Sequence, residues 1–143
     1  MNILVGIDFG ESSHLITQAA ALLARGLGAK IWLVHVAEPD PEFVGYEADS
    51  TAMRDVVAKR YHAEHRDLQT IAQGLRDDGL DCVGLLVQGA TVATLLHEAD
   101  KVAADIIVVG SHGKGVIKRL LIGSTSEGVL HRASVPVYVV PTR

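Results

Sequence analysis

The sequence predicts an α/β protein built on an open, doubly wound sheet of five parallel strands with helices on both faces. Three observations lead there. Five short Val/Ile/Leu-rich runs, at 2–8, 30–37, 81–87, 105–110 and 136–140, are apolar on both alternating faces, as strands covered on both sides are. The segments between them have helix length and carry apolar residues at helical spacing. The resulting order, β-α-β-α-β-α-β-α-β, requires right-handed crossovers and therefore a parallel sheet with a helix layer on each face. A Rossmann-like sheet with strand order 3-2-1-4-5 is the expected arrangement.

The first strand ends in Asp8, and the first helix, starting near Ser12 or Ser13, places Ile16, Ala20, Leu23 and Leu27 on one face. The second strand contains Trp32, which reads as a core residue. After it, Glu38-Pro-Asp-Pro-Glu42 through Asp49 is acidic, carries two prolines and delays the next helix to about residue 50. This predicts a long exposed loop at the carboxyl edge of the sheet, either a lid or a merely solvated connection. The second helix carries Met53, Val57, Tyr61, Leu68, Ile71 and Leu75, and its His62 and His65 read as solvated. Cys82 falls in the third strand, where a buried, inert thiol is expected. Val92, Leu95, Leu96, Ala99 and Val102 form the stripe of the third helix, in which His97-Glu98 reads as solvated, and the last helix spans about Ser124 to Ala133. No metal site is expected, because three or four ligands do not converge in any of these segments.

At 143 residues the chain has the size of a single domain, 1–143, and its 48% apolar and 21% charged residues are ordinary for a folded soluble protein. One cysteine allows no internal disulfide, and the first residues read as a strand in place of a basic, apolar leader. A cytoplasmic protein is expected. No apolar run approaches the roughly 18 residues needed to cross a bilayer, so no membrane insertion is expected. A net charge of −4 argues against nucleic acid as a partner.

Against that acidic background, the stretch from Asp105 to Ser126 reverses sign. Glycine stands at 110, 113, 115 and 123, Lys114, Lys118 and Arg119 are cationic, and no carboxylate lies between Ser111 and Ser126. Glycines permit close backbone approach, so this reads as a phosphate cradle. Ser124 and Glu127 have capping-box spacing, which predicts a helix start whose free amides suit phosphate oxygens, with Ser124, Thr125 and Ser126 adding hydroxyls. In the expected strand order the ligand crevice lies beyond the ends of strands one and four, at Asp8 and Gly110. Asp8 there reads as an acceptor for ribose hydroxyls or a base amino group, or else as an N-cap or turn former.

The loop is neither a Gly-x-x-x-x-Gly-Lys-Ser/Thr phosphate loop nor a Gly-x-Gly-x-x-Gly dinucleotide fingerprint. Gly110, two residues, Gly113, nine residues, then Gly123-Ser124 resembles the nucleotide-binding signature of the universal stress protein family. The resemblance extends to Asp8 before Gly10-Glu-Ser-Ser13, to His35-Val36 closing the second strand, to Gly89, and to the ending Ser134-Val-Pro-Val-Tyr-Val-Val140. It implies an adenine nucleotide alpha hydrolase-like fold and ATP as ligand, with Mg or Mn held through the phosphates. It also implies nucleoside contacts at Asp8 and the main chain of Val36, and phosphate contacts at Gly110, Gly113, Gly123, Ser124, Thr125 and Ser126. His112 lies inside the loop and either touches phosphate or ribose or faces solvent. One departure stands out: Phe9 follows the strand-1 Asp where the family usually has Gly.

Cyclic AMP or another adenine nucleotide remains an alternative ligand, a slow ATPase or phosphatase an alternative activity, and a scaffold with an empty crevice a third reading. No nucleophile elbow, carboxylate pair or His-Ser relay spacing is present, so binding is expected over turnover. Asp8-Phe9-Gly10 copies the kinase metal-binding tripeptide, but the chain is too short for a kinase and lacks a His-Arg-Asp loop. The last strand, 135–140, has Pro136 near its start and lies at the sheet edge, where pairing with a second copy would cover it. The resemblance likewise implies a homodimer, whose nucleotide state would alter contacts with a further protein partner.

Overall fold

The computed structural model describes residues 1–39, 51–112 and 122–142. Five strands and four helices alternate along the chain: β1 (Asn2–Gly6), α1 (Ser13–Leu27), β2 (Lys30–Ala37), α2 (Thr51–Asp77), β3 (Cys82–Gln88), α3 (Thr91–Lys101), β4 (Ile106–Gly110), α4 (Ser124–Arg132) and β5 (Val137–Val140). All strand pairs are parallel, and the order is β3-β2-β1-β4-β5. The residues expected to form strands and helices therefore do so, with strand ends shifted by one or two positions.

Side chains alternate across a strand, so a strand with no exposure at three successive residues must be covered on both faces. Ile3, Leu4 and Val5 of β1 are each 0% exposed. Ile3 and Val5 pack with Ile16 and Ala20 of α1 and Leu68 and Ala72 of α2. Leu4 packs on the opposite face with Leu95 of α3 and Val129 of α4. The expectation of two-sided burial fails at β3 and β5, where only Cys82 and Val140 are buried. Both are edge strands, and an edge has no neighbour to seal its outer side.

Helix α2 exceeds the strand layer it covers. Its 27 residues extend roughly 40 Å at about 1.5 Å per residue, against roughly 23 Å for the seven-residue β3. Only Leu68, Ala72 and Leu75 are buried, all in its second half. The expected stripe residue Val57 is 43% exposed, and Tyr61 is half-buried, donating its hydroxyl to the Leu86 carbonyl at 3.3 Å. The first half of α2 thus stands at the carboxyl edge of the sheet, among the groups that form the crevice described below.

The amino edge is closed by Asn2. Its backbone N–H donates to Asp105 Oδ2 at 2.8 Å, its side-chain amide donates to the Val102 carbonyl at 3.0 Å, and its Oδ1 accepts from Trp32 Nε1 at 3.1 Å. Lys30 Nζ lies 4.5 Å from the centre of the Trp32 ring. Trp32 is thus a structural residue at the edge opposite the crevice. Cys82 is buried, and burial pushes its thiol up to about 11, against a weaker opposite pull from Arg76. Among the described residues no helix is long and apolar enough to cross a membrane.

Candidate functional site

Strand β1 lies between β2 and β4, and the chain leaves it toward β2 through α1 on one face and returns to β4 through α3 on the other. The connections part at the carboxyl ends of β1 and β4, which leaves a crevice there. It encloses about 640 Å³ of space when its wide open mouth is counted. Ile16, Leu95 and Val109 form apolar walls, while Asp8, His35, Thr91, His112, Thr125 and Ser126 bring polar groups to it.

Of the residues read from the sequence as a site, Asp8, Val36, Gly110, His112, Thr125 and Ser126 line this one crevice. Gly123 and Ser124 stand at the start of α4 beside it. Gly113, together with Gly115, Lys114, Lys118 and Arg119, lies outside the described residues, as does the 40–50 portion of the acidic loop.

Asp8 is a turn former and a crevice residue at once. Its Oδ1 accepts the Gly10 N–H at 2.9 Å, the short-range bridge of an Asx turn, and it does not cap α1, whose N-cap is Ser12. Between them Phe9 is held at φ 57°, in the left-handed region, at a cost of about 1–2 kcal/mol for a residue with a Cβ. Glycine at that position would adopt this φ without strain. The Phe9 ring lies against His35, with centroids 4.3 Å apart.

His35 was legible only as the end of a strand, yet its ring is part of the crevice wall. Its Nδ1 donates to the Ile7 carbonyl at 2.8 Å, and its Nε2 is 3.7 Å from Glu64 Oε2. Arg60 Nε donates to the other Glu64 oxygen at 3.2 Å. The Ile7 carbonyl thus fixes the ring, and the Glu64–Arg60 pair of α2 stands beside its other nitrogen.

Gly110 has no room for a side chain: a Cβ there would stand 2.8 Å from Ile16 Cδ1 and 3.0 Å from Thr142 Cγ2. Just beyond it, Ser111 N–H donates to the Val140 carbonyl at 2.8 Å, and Gly123 N–H donates to the Ser111 carbonyl at 2.7 Å, which ties the two ends of the glycine loop together. Ser111 Oγ is 3.1 Å from His112 Nδ1 and 3.2 Å from Thr142 Oγ1. His112 Nε2 is buried without a partner among the described residues.

The capping box expected of Ser124 and Glu127 does not form. Gly123, at φ −62° and ψ 155°, is the extended residue that caps α4, so Ser124 is already helical and too far along to cap. The Glu127 carboxylate lies 3.8 Å from His131 Nε2 one turn on, away from the helix start. Ser126 is buried, and its hydroxyl donates to the Gly110 carbonyl. That proton is committed to joining α4 to β4, so Ser126 offers the crevice its backbone amide and Thr125 the hydroxyl. Among the described residues no side chain caps α4, which leaves its first amides and the positive end of its dipole uncapped beside the crevice.

The start of α3 meets the same crevice through Thr91. Here Glu38 Oε1 accepts the Thr91 N–H at 3.2 Å and the Thr91 hydroxyl at 2.5 Å. The sequence marked Glu38 only as the start of the acidic loop at the carboxyl edge, and its partner lies 53 positions away. Among the described residues no group of three His, Cys, Asp or Glu side chains is placed to hold a metal ion.

Fold and crevice together define a doubly wound α/β protein with a polar-rimmed crevice at its switch point. Residues 1–141 match the universal stress protein family, and the chain belongs to that family. It is 30% identical over 140 residues to a universal stress protein of Thermus aquaticus, with 96% of each chain covered. The solved structure of the protein MJ0577 superimposes with a TM-score of 0.86 at 25% identity, covering 99% of this chain and 96% of that one. A universal stress protein solved in complex with cAMP gives a TM-score of 0.70 at 26% identity, covering 100% and 98%. The chain spans about half the length of several other curated relatives, between 44% and 49% of theirs.

Proposed function

We propose that this protein binds an adenine nucleotide in the crevice between β1 and β4, that the nucleotide is ATP, and that its binding state governs contacts with a protein partner. The observation that carries this reading is the uncapped start of α4 beside a polar-rimmed crevice at the switch point. Phosphate oxygens would meet the amides of Ser124, Thr125 and Ser126, the Thr125 hydroxyl and the Gly110 to Gly113 side of the loop. The nucleoside would lie toward Asp8 and the main chain of Val36. A divalent ion, Mg or Mn, would be carried through the phosphates, since no side-chain set for one converges among the described residues. Such a site holds phosphate with fixed dipoles and offers no activated nucleophile, so binding is favoured over hydrolysis. The setting is cytoplasmic, and two copies pair through the edge strand β5, whose Tyr138 is 45% exposed.

A second reading, cyclic AMP in place of ATP, is supported by the 26% identical relative solved with that ligand. Denaturing the purified protein and weighing any released nucleotide distinguishes the two, followed by calorimetric competition between ATP and cAMP. ATP is expected to bind more tightly, because a cyclic ligand lacks the β- and γ-phosphates that the start of α4 would hold. No affinity for ATP, ADP or cAMP at millimolar concentration would refute the nucleotide reading.

A further inference from the structure

Three side chains from two distant stretches of the chain meet where β4 opens into the crevice. Thr142, two residues past β5, donates its backbone N–H to Ser111 Oγ at 3.1 Å, while its own Oγ1 accepts the His112 N–H at 3.2 Å. The two hydroxyls are 3.2 Å apart, Ser111 Oγ is 3.1 Å from His112 Nδ1, and Thr142 Oγ1 is 3.4 Å from the His112 carbonyl. At this junction the His112 Nε2 alone lacks a partner among the described residues, and it is buried. His112 itself lines the crevice.

With a neutral ring, two arrangements of hydrogens satisfy this network. In one, Ser111 donates to Nδ1, so the ring carries its proton on Nε2. In the other, Nδ1–H donates to Ser111, Ser111 to Thr142, and Thr142 to the His112 carbonyl, which leaves a neutral ring with a bare Nε2. A phosphate oxygen only accepts, so it selects a ring protonated at Nε2. We propose that Ser111 and Thr142 are positioning residues that present His112 Nε2–H to an anionic oxygen of the bound nucleotide. The segment following β5 is thereby part of the site. This inference rests on the nucleotide reading given above.

Thr142 also packs its methyl against Gly110, with Cγ2 3.0 Å from where a glycine Cβ would stand. Two variants separate that packing from the hydrogen bonds: Thr142→Val keeps the methyl and loses the hydroxyl, and Thr142→Ser does the reverse. Calorimetry with ATP and with cAMP is expected to show about a 5- to 10-fold loss for Thr142→Val and near-native affinity for Thr142→Ser. In a His112→Ala background the Thr142→Val change is expected to cost nothing further. Nitrogen-15 spectra of the histidine rings in the ATP complex should show the His112 proton on Nε2. Should Thr142→Val fail to fold, Ser111→Ala removes the same link from its other end.

Native affinity in Thr142→Val, an equal loss in the His112→Ala background, or a bare Nε2 in the complex would each overturn the positioning role while leaving nucleotide binding standing. A wild-type protein that binds neither ATP nor cAMP refutes the nucleotide reading itself, and the positioning proposal falls with it.

Discussion

Two helices begin on the same crevice and treat their amino ends in opposite ways. At α3 the positive end of the dipole is already matched, because the Glu38 carboxylate takes both the amide and the hydroxyl of Thr91. At α4 the cap is Gly123, which brings no side chain, and the one buried hydroxyl nearby, that of Ser126, is turned to Gly110. The same backbone physics serves stability in the first case and, in the proposed function, receives a ligand in the second. The two starts differ in where the chain's own carboxylate sits: Glu38 is seated on the first residue of α3, whereas Glu127, in the first turn of α4, lies 3.8 Å from His131 Nε2 one turn on.

The contrast breaks most directly at α4. In the proposed function a leucine at Gly123, whose backbone angles are open to any residue, is expected to obstruct the phosphates at the start of α4. Loss of two or more charge-assisted hydrogen bonds is expected to weaken ATP binding about 100-fold or more, with circular dichroism unchanged. Undiminished affinity would remove the site from α4.

The corresponding change before α3 should act on stability. Gly89 has φ 149°, and a Cβ there would collide with Thr94 Oγ1. Gly89→Ala is expected to cost about 1–3 kcal/mol of folding stability, read by urea unfolding, with near-native ATP affinity in the folded protein. A selective loss of binding would show that α3 also holds ligand.

A reference for both lies at the far edge of the sheet. The Cys82 thiol is raised from 9.0 to about 11, so folding favours its protonated form. That contribution is complete below pH 9 and is lost as pH rises toward 11, while the unfolded chain ionises first. Unfolding free energy measured from pH 8 to 11 should fall more steeply in the native protein than in Cys82→Ala, by on the order of 2 kcal/mol. Equal slopes would mean that the thiol is not sequestered.

The smallest effect is expected at Glu38. Glu38→Gln weakens the match to the α3 dipole and should cost about 0.3–1 kcal/mol at low salt, fading as salt is raised. Removing the carboxylate beside Thr91 should leave ATP affinity unchanged or slightly improved. Weakened ATP binding would make Glu38 a ligand contact and erase the difference between the two helices.

The layers of the fold were legible because they rest on local periodicity. Two-sided apolar runs identified β1, β2 and β4, and the stripe of Leu68, Ile71 and Leu75 identified the packed half of α2. The same reasoning overestimated the burial of β3 and β5, since a sequence run does not show whether its strand has a neighbour on each side. It also misjudged the α4 cap. Ser124 and Glu127 have the right spacing, but the extended backbone falls one residue earlier, at Gly123, where β4 and the loop end are tied by the Ser111 carbonyl.

By itself, the sequence determined the order of elements, the apolar faces that cover the sheet, and the glycines that allow close approach beside β4. Six of the nine residues it marked, Asp8, Val36, Gly110, His112, Thr125 and Ser126, line one crevice. The tertiary structure decided what surrounds that crevice: His35 held by the Ile7 carbonyl, Glu38 seated on α3, and Thr142 holding His112 from a distance of 30 positions. Hydrophobic periodicity is written over neighbouring residues, whereas a crevice at a switch point is assembled from the ends of elements far apart in the chain. Which ends meet is set by sheet order and crossover handedness, and only folding brings their polar groups within hydrogen-bonding distance.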